Sequence, residues 1–285
     1  MPHPDNASQQ ITYAGIMVPV DLGPEAERRV KLACRLADRF SSRLIGIAAE
    51  GMLSPGYLDD GIDLQQNIIE MEERRIADDL EQAEKIFRAT ADAYSNLEWR
   101  ATVATMEAPS AFICRQARAC DLIVVSRQGA NDPFHGALAP SPGDLMMNTG
   151  RPILVVPPKR EHLVGDRIVI AWKDTREARR ALWDSLPFLK RADTVFVVAV
   201  GPSDREDSIS DVSAYLARHG VASRACARSA SERSVAHEII QVAEDEGADL
   251  IVSGAYGHSR AREWIFGGVT RELLNNIPVC CLFSH

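Results

Sequence analysis

Apolar runs of strand length alternate with amphipathic stretches along the whole chain. The clearest run is Thr194–Val200, whose uninterrupted hydrophobic character suits a parallel strand buried on both faces. Around it the pattern predicts strands at 167–172, 221–227, 250–253 and 279–283. Helices are predicted at 177–189, at 208–218 and over 269–275. A further helix carries Ala236, Ile239, Ile240 and Ala243 at i, i+3, i+4 and i+7, with Gly247 as its stop. The preceding part of the chain repeats this order, with strands near 13–20, 43–49, 98–104, 121–126 and 152–156. Strict alternation of strand and helix predicts parallel sheets with helices on both faces.

The repetition extends to residue identity. Shifted by 128 positions, Asp121-Leu122-Ile123-Val124 falls on Asp249-Leu250-Ile251-Val252, Gly129 on Gly257, and Asn148 on Asn276. Shifted by 152, Glu25-Ala26-Glu27-Arg28 falls on Glu177-Ala178-Arg179-Arg180. The two offsets differ by 24, so the first copy carries about that much extra chain, expected near 51–75 as a loop at 51–66 and a longer helix behind it. We therefore expect two domains, 1–160 and 161–285, joined by the exposed linker Pro157-Pro158-Lys159-Arg160-Glu161-His162. The last strand of each copy is an apolar edge, and pairing the two edges would remove an aggregation hazard.

The 285 residues are 46% hydrophobic and 25% charged, as in an ordinary soluble protein. A net charge of −8 argues against a sequence-independent grip on nucleic acid and against docking on anionic lipid. No apolar run is long enough to span a bilayer, and the first residues lack the pattern of a signal peptide. The six cysteines show no CxxC spacing and do not cluster with histidines, so reduced core thiols in a cytoplasmic protein are expected and no metal is implied. The adjacent Cys280 and Cys281 should point to opposite faces of their strand.

Ligands of open α/β sheets sit beyond the carboxyl ends of the strands. After the fourth strand of the second copy come Gly254-Ala255-Tyr256-Gly257 and then Gly267-Gly268-Val269-Thr270 at a helix start. Glycines let the backbone approach an anion, and a helix N-terminus presents free N–H donors, so the loop is a candidate phosphate cradle. Thr270 would add a hydroxyl, and His258, Arg260 and Arg262 positive charge.

The spacing Gly-x2-Gly-x9-Gly, a small residue and then Val-Thr, following a fourth strand, resembles the universal stress protein (UspA) family. Ile168-Val169-Ile170-Ala171-Trp172 and Arg176-Glu177-Ala178 are similar to that family's opening strand and first helix. The resemblance covers about 11–157 and 166–285. It implies two repeated Rossmann-like (adenine nucleotide alpha hydrolase-like) α/β domains, each a five-stranded, mainly parallel sheet, packed as a pseudo-dimer. It leaves open a homodimer and an unknown regulatory protein partner. Members of the family bind ATP or AMP in one branch and no nucleotide in another.

Departures from the family pattern locate the expected ligand. The Asp that ends the family's first strand is Asp21 in the first copy, but Lys173 stands at the matching place in the second. Conversely the first copy has Ser126, Ala139, Pro140 and Pro142 where the second has Gly254, Gly267, Gly268 and Thr270. Proline lacks an N–H, so the first loop is expected to be structural. The nucleotide-binding candidates are therefore Lys173, Asp174, Gly254, Gly257, His258, Arg260, Gly267, Gly268, Val269 and Thr270. No catalytic residue is assigned, since no GxxxxGK, HExxH or GxSxG motif occurs and turnover is expected to be absent or slow. The competing expectation is an interaction scaffold with vestigial sites.

Overall fold

The computed structural model describes residues 11–52, 62–105, 108–127, 140–201, 206–229, 233–257 and 268–285. The first half supplies β1 (Gly15–Pro19), α1 (Ala26–Phe40), β2 (Arg43–Gly51), α2 (Ile62–Thr90), β3 (Leu97–Ala104), α3 (Pro109–Gln116), β4 (Leu122–Ser126), α4 (Pro142–Asn148) and β5 (Ile153–Val156). The second supplies β6 (Arg167–Ala171), α5 (Arg176–Asp184), α6 (Leu186–Leu189), β7 (Thr194–Val200), α7 (Glu206–Arg218), β8 (Ser223–Arg228), α8 (Val235–Asp245), β9 (Leu250–Gly254), α9 (Gly268–Asn276) and β10 (Cys280–Ser284).

The two expected sheets are halves of one. Its strand order is β3-β2-β1-β4-β5-β10-β9-β6-β7-β8, parallel throughout except at the centre. There β5 and β10 run antiparallel, with Val155 opposite Cys281, Leu154 opposite Leu282 and Ile153 opposite Phe283. The last strands pair as expected from their apolar edges. In each half the order reverses between the first and fourth strands, which opens a crevice beyond their carboxyl ends.

Alternate strand residues feed two cores, one on each face. One is closed by α1, α2, α5, α6 and α7, the other by α3, α4, α8 and α9. Cys280 lies in the first core and Cys281 in the second, as the period of a strand requires. Burial pushes the Cys280 thiol up to about 12 and raises that of Cys281 well above its ordinary value, so both are inert hydrophobes.

The duplicated Asp has the same task twice. Asp121 accepts the backbone N–H groups of Ala14 and Gly15, and Asp249 those of Val164 and Gly165, pinning the entry to β1 and β6. The halves are also joined by an aromatic cluster. Tyr13 and Phe40 meet Phe188 at centroid separations of 5.6 and 5.0 Å, and the Tyr13 hydroxyl donates to the Asp184 carbonyl.

One expectation needs correction. The helix expected over 177–189 is broken at Ser185, where Pro187 begins a new turn in α6 and Ser185 flanks both pieces. The longer helix expected in the first half is α2, with 29 residues where α7 has 13, and it begins at Ile62, inside the stretch expected as loop. The loop expected at 51–66 lies largely outside the described residues.

Candidate functional site

In the second half, the carboxyl ends of β6, β7 and β9 and the first turns of α5, α8 and α9 surround a cleft of about 190 Å³ at the strand-order reversal. One wall is apolar, built from Val198, Val200, Val235 and Ile239. Trp172, Lys173, Thr175 and Glu177 also line it, with Gly268, Val269 and Thr270 at the start of α9.

Of the sequence-predicted residues, Lys173, Gly254, Gly257, Gly268, Val269 and Thr270 come together on this cleft. Asp174 does not. Its exposed carboxylate pairs with Arg179 at 2.5 Å, and it is not among the residues that line the cleft. His258, Arg260 and Gly267 lie outside the described residues, as do Arg262 and Ala139.

The glycines have different reasons to be glycine. A Cβ on Gly254 would lie 2.6 Å from the Ala178 nitrogen, so this residue is small because α5 rests its first turn on the end of β9. A Cβ on Gly257 would lie 3.1 Å from Glu177 Oε2, so that glycine makes room for a carboxylate rather than an anion. Only at Gly268, among the three described, would a Cβ meet nothing within 4 Å, leaving the α9 backbone open to approach. Thr270 is buried, and its hydroxyl accepts the Tyr256 N–H. It thereby holds the left-handed turn at Tyr256 (φ 57°), which sends the chain from β9 toward α9.

Glu177 is the site residue that the sequence reading passed over. It sits in the first turn of α5, capped by Thr175, whose hydroxyl accepts the Ala178 N–H. Its side chain is only 5% exposed and pairs with the Arg176 guanidinium. Burial works to raise the carboxyl. Hydrogen bonds from Arg176, its own N–H and Thr175 outweigh that and hold it below the usual carboxylate range. It is therefore a charged acceptor inside the cleft at neutral pH.

The matching crevice of the first half is filled from within. Arg29, 4% exposed, donates to the Pro19 carbonyl at 3.0 Å, to Ser126 Oγ at 2.7 Å and to Asp21 at 2.6 Å. The other Asp21 oxygen accepts the Gly23 N–H. Each oxygen of the family-type aspartate thus has a partner within the chain itself. In the second half Ala181 stands where Arg29 does, by the 152-residue offset, and the space stays open. Pro142 opens α4 behind a Ser141 cap.

Residues 166–284 match the model of the universal stress protein family. The second half is a universal stress protein domain. Universal stress protein MJ0577 of Methanocaldococcus jannaschii is 41% identical over 44 residues, which span 15% of this chain and 27% of that relative. The crystal structure of a universal stress protein from Archaeoglobus fulgidus superposes with a TM-score of 0.68 at 14% identity, covering 95% of this chain and 98% of that one. A functionally unknown protein from Pseudomonas aeruginosa PAO1 gives 0.55 at 15% identity, covering 95% and 92%. The universal stress protein fold therefore extends over both halves, in tandem. Among the described residues, no helix is long and apolar enough to cross a membrane, and no three His, Cys, Asp or Glu side chains gather to hold a metal ion.

Proposed function

We propose that this universal stress protein is a stress-response regulator that binds an adenine nucleotide, ATP or AMP, in the cleft of its second half. The observation that carries the reading is the contrast between two matching crevices, one plugged by Arg29 and one left open beside an apolar wall and an accessible helix start. The apolar wall suits a base, and the backbone N–H groups of the first turn of α9 suit a phosphate. Lys173 at the rim adds a cation.

Rapid turnover is not part of this reading. Phosphoryl transfer needs a held metal and a positioned nucleophile. Lys173 occupies the place of the family's carboxylate, and Asp174 is held by Arg179.

One observation favours the second reading, an interaction scaffold without nucleotide: Gly254 and Gly257 are accounted for by α5 and Glu177 with no ligand present. Calorimetric titration of the full chain with ATP and with AMP separates the two. Saturable binding is expected, weakened at least tenfold by Val235→Trp, which fills the cleft mouth from a position already 39% exposed. Heatless titrations with both nucleotides would leave the scaffold reading in place.

A further inference from the structure

The two copies use the same glutamate in opposite ways. Glu25, the match of Glu177, is tied outward in the first half, with Oε1 on Arg28 at 2.9 Å and Oε2 accepting the Lys159 N–H of the linker. In the second half the counterpart of Arg28 is Arg180, and it pairs with Asp184 instead. Glu177, released from that partner, turns its carboxylate into the cleft against Gly257. We propose that Glu177 is the specificity-determining residue of the cleft, a charged acceptor that seats the paired hydroxyls of a ligand's sugar. This rests on the nucleotide reading above and names the group that reads the nucleoside.

A carboxylate only accepts hydrogen bonds, so its complement is a donor group, and vicinal hydroxyls offer two. Phosphate oxygens offer no donor when ionised and would be repelled by Glu177, so their complement in the cleft is the backbone at the α9 start and the Lys173 cation. An aspartate at the end of β6 would be the other carboxylate able to face the sugar, but that place holds Lys173, and Asp174, paired with Arg179, does not line the cleft. Among the described residues lining the cleft, Glu177 is the only acid. The Arg176 side chain that pairs with it is 79% exposed, so the ion pair approaches from the solvent side.

The test is competition binding to the full chain with ATP and 2′,3′-dideoxyATP, which differ only in the two hydroxyls. Wild-type protein is expected to prefer ATP by about tenfold, the order of one hydrogen bond to a charged acceptor. Glu177→Gln should bind the two ligands within about threefold of each other, chiefly by losing affinity for ATP. Equal binding of both ligands to wild-type protein would overturn the role of Glu177 while leaving nucleotide binding intact. So would a tenfold preference retained by Glu177→Gln. If Glu177→Gln fails to fold, the shorter Glu177→Asp takes its place: its preference is expected to fall to within about threefold, and a retained tenfold preference would overturn the role. Absence of binding by either ligand would overturn the nucleotide reading and this inference with it.

Discussion

Arg29 and Asp21 show what a buried charge does when no ligand is there to meet it. The guanidinium is almost fully buried and has three acceptors, while the carboxylate is 14% exposed and has a second bond from Gly23. Removing one partner strands the other, and the penalty follows the burial of what remains. Asp21→Ala should therefore destabilise the protein by about 3 kcal/mol, because it leaves a charged guanidinium buried. Arg29→Met should cost less, since the carboxylate left behind can reach water. Urea unfolding of both variants checks the order. Neither should alter nucleotide affinity, because the proposed site lies in the other half. The plug was partly legible: Arg29 shares a helical stripe with Ala33, Leu36 and Phe40, all buried, so a charge on the core side could have been read from spacing alone. That it bonds Ser126, 97 residues later, could not. Glu177 was hidden for a similar reason. A glutamate in a first helical turn satisfies the helix dipole wherever it points, and only the packed structure tells which way it points.

At the scale of elements, α2 is the main departure from the repeat, and it carries its own charge problem. It lies along β2 and brings Arg75 to within 2.7 Å of Glu50 Oε1, at a glutamate whose side chain is fully buried. Arg75 also serves Glu72 and Asp79. Burial outweighs the help from Arg75 and raises the Glu50 carboxyl above its ordinary range. A carboxyl raised in the folded state supports stability below its ordinary titration range, and that support is lost as pH rises through the raised value. Glu50→Gln should accordingly raise Tm at pH 7, and the gain should vanish by pH 4. Thermal unfolding at the two pH values tests the sign; a lower Tm at pH 7 would mean that the ion pair with Arg75 is the stronger influence. The strands around this helix were readable because two-sided burial writes continuous apolar runs, as in β7. The edge strand β8 was the faintest, with exposed residues along most of its length. The break between α5 and α6 escaped notice because proline is tolerated in a first helical turn, so Pro187 stops one helix and starts the next.

At the scale of the whole molecule, the question is whether two copies of one fold behave as two units. Cooperative all-or-none unfolding is the habit of single domains below about 150 residues, and this chain of 285 is nearly twice that. The connection argues for one unit nonetheless. The sheet is continuous through β5 and β10, whose residues are buried throughout. Above it Tyr13, Phe40 and Phe188 share one aromatic cluster, and the Arg191 guanidinium lies 4.5 Å from the Phe40 ring centre. Neither half can unfold without baring an apolar strand edge and half of that cluster. Two single-tryptophan reporters make this measurable, one keeping Trp99 beneath α2 in the first half and one keeping Trp172 beside the cleft in the second. Their urea transitions should coincide. Phe188→Ala, a substitution in the second half, should cost about 3–5 kcal/mol and displace both transitions equally. Were the halves independent, Trp172 would report the loss and Trp99 would not. A shift confined to Trp172 would reduce the seam to a contact between separately folded domains, and nucleotide bound in the second half would then stabilise that half alone.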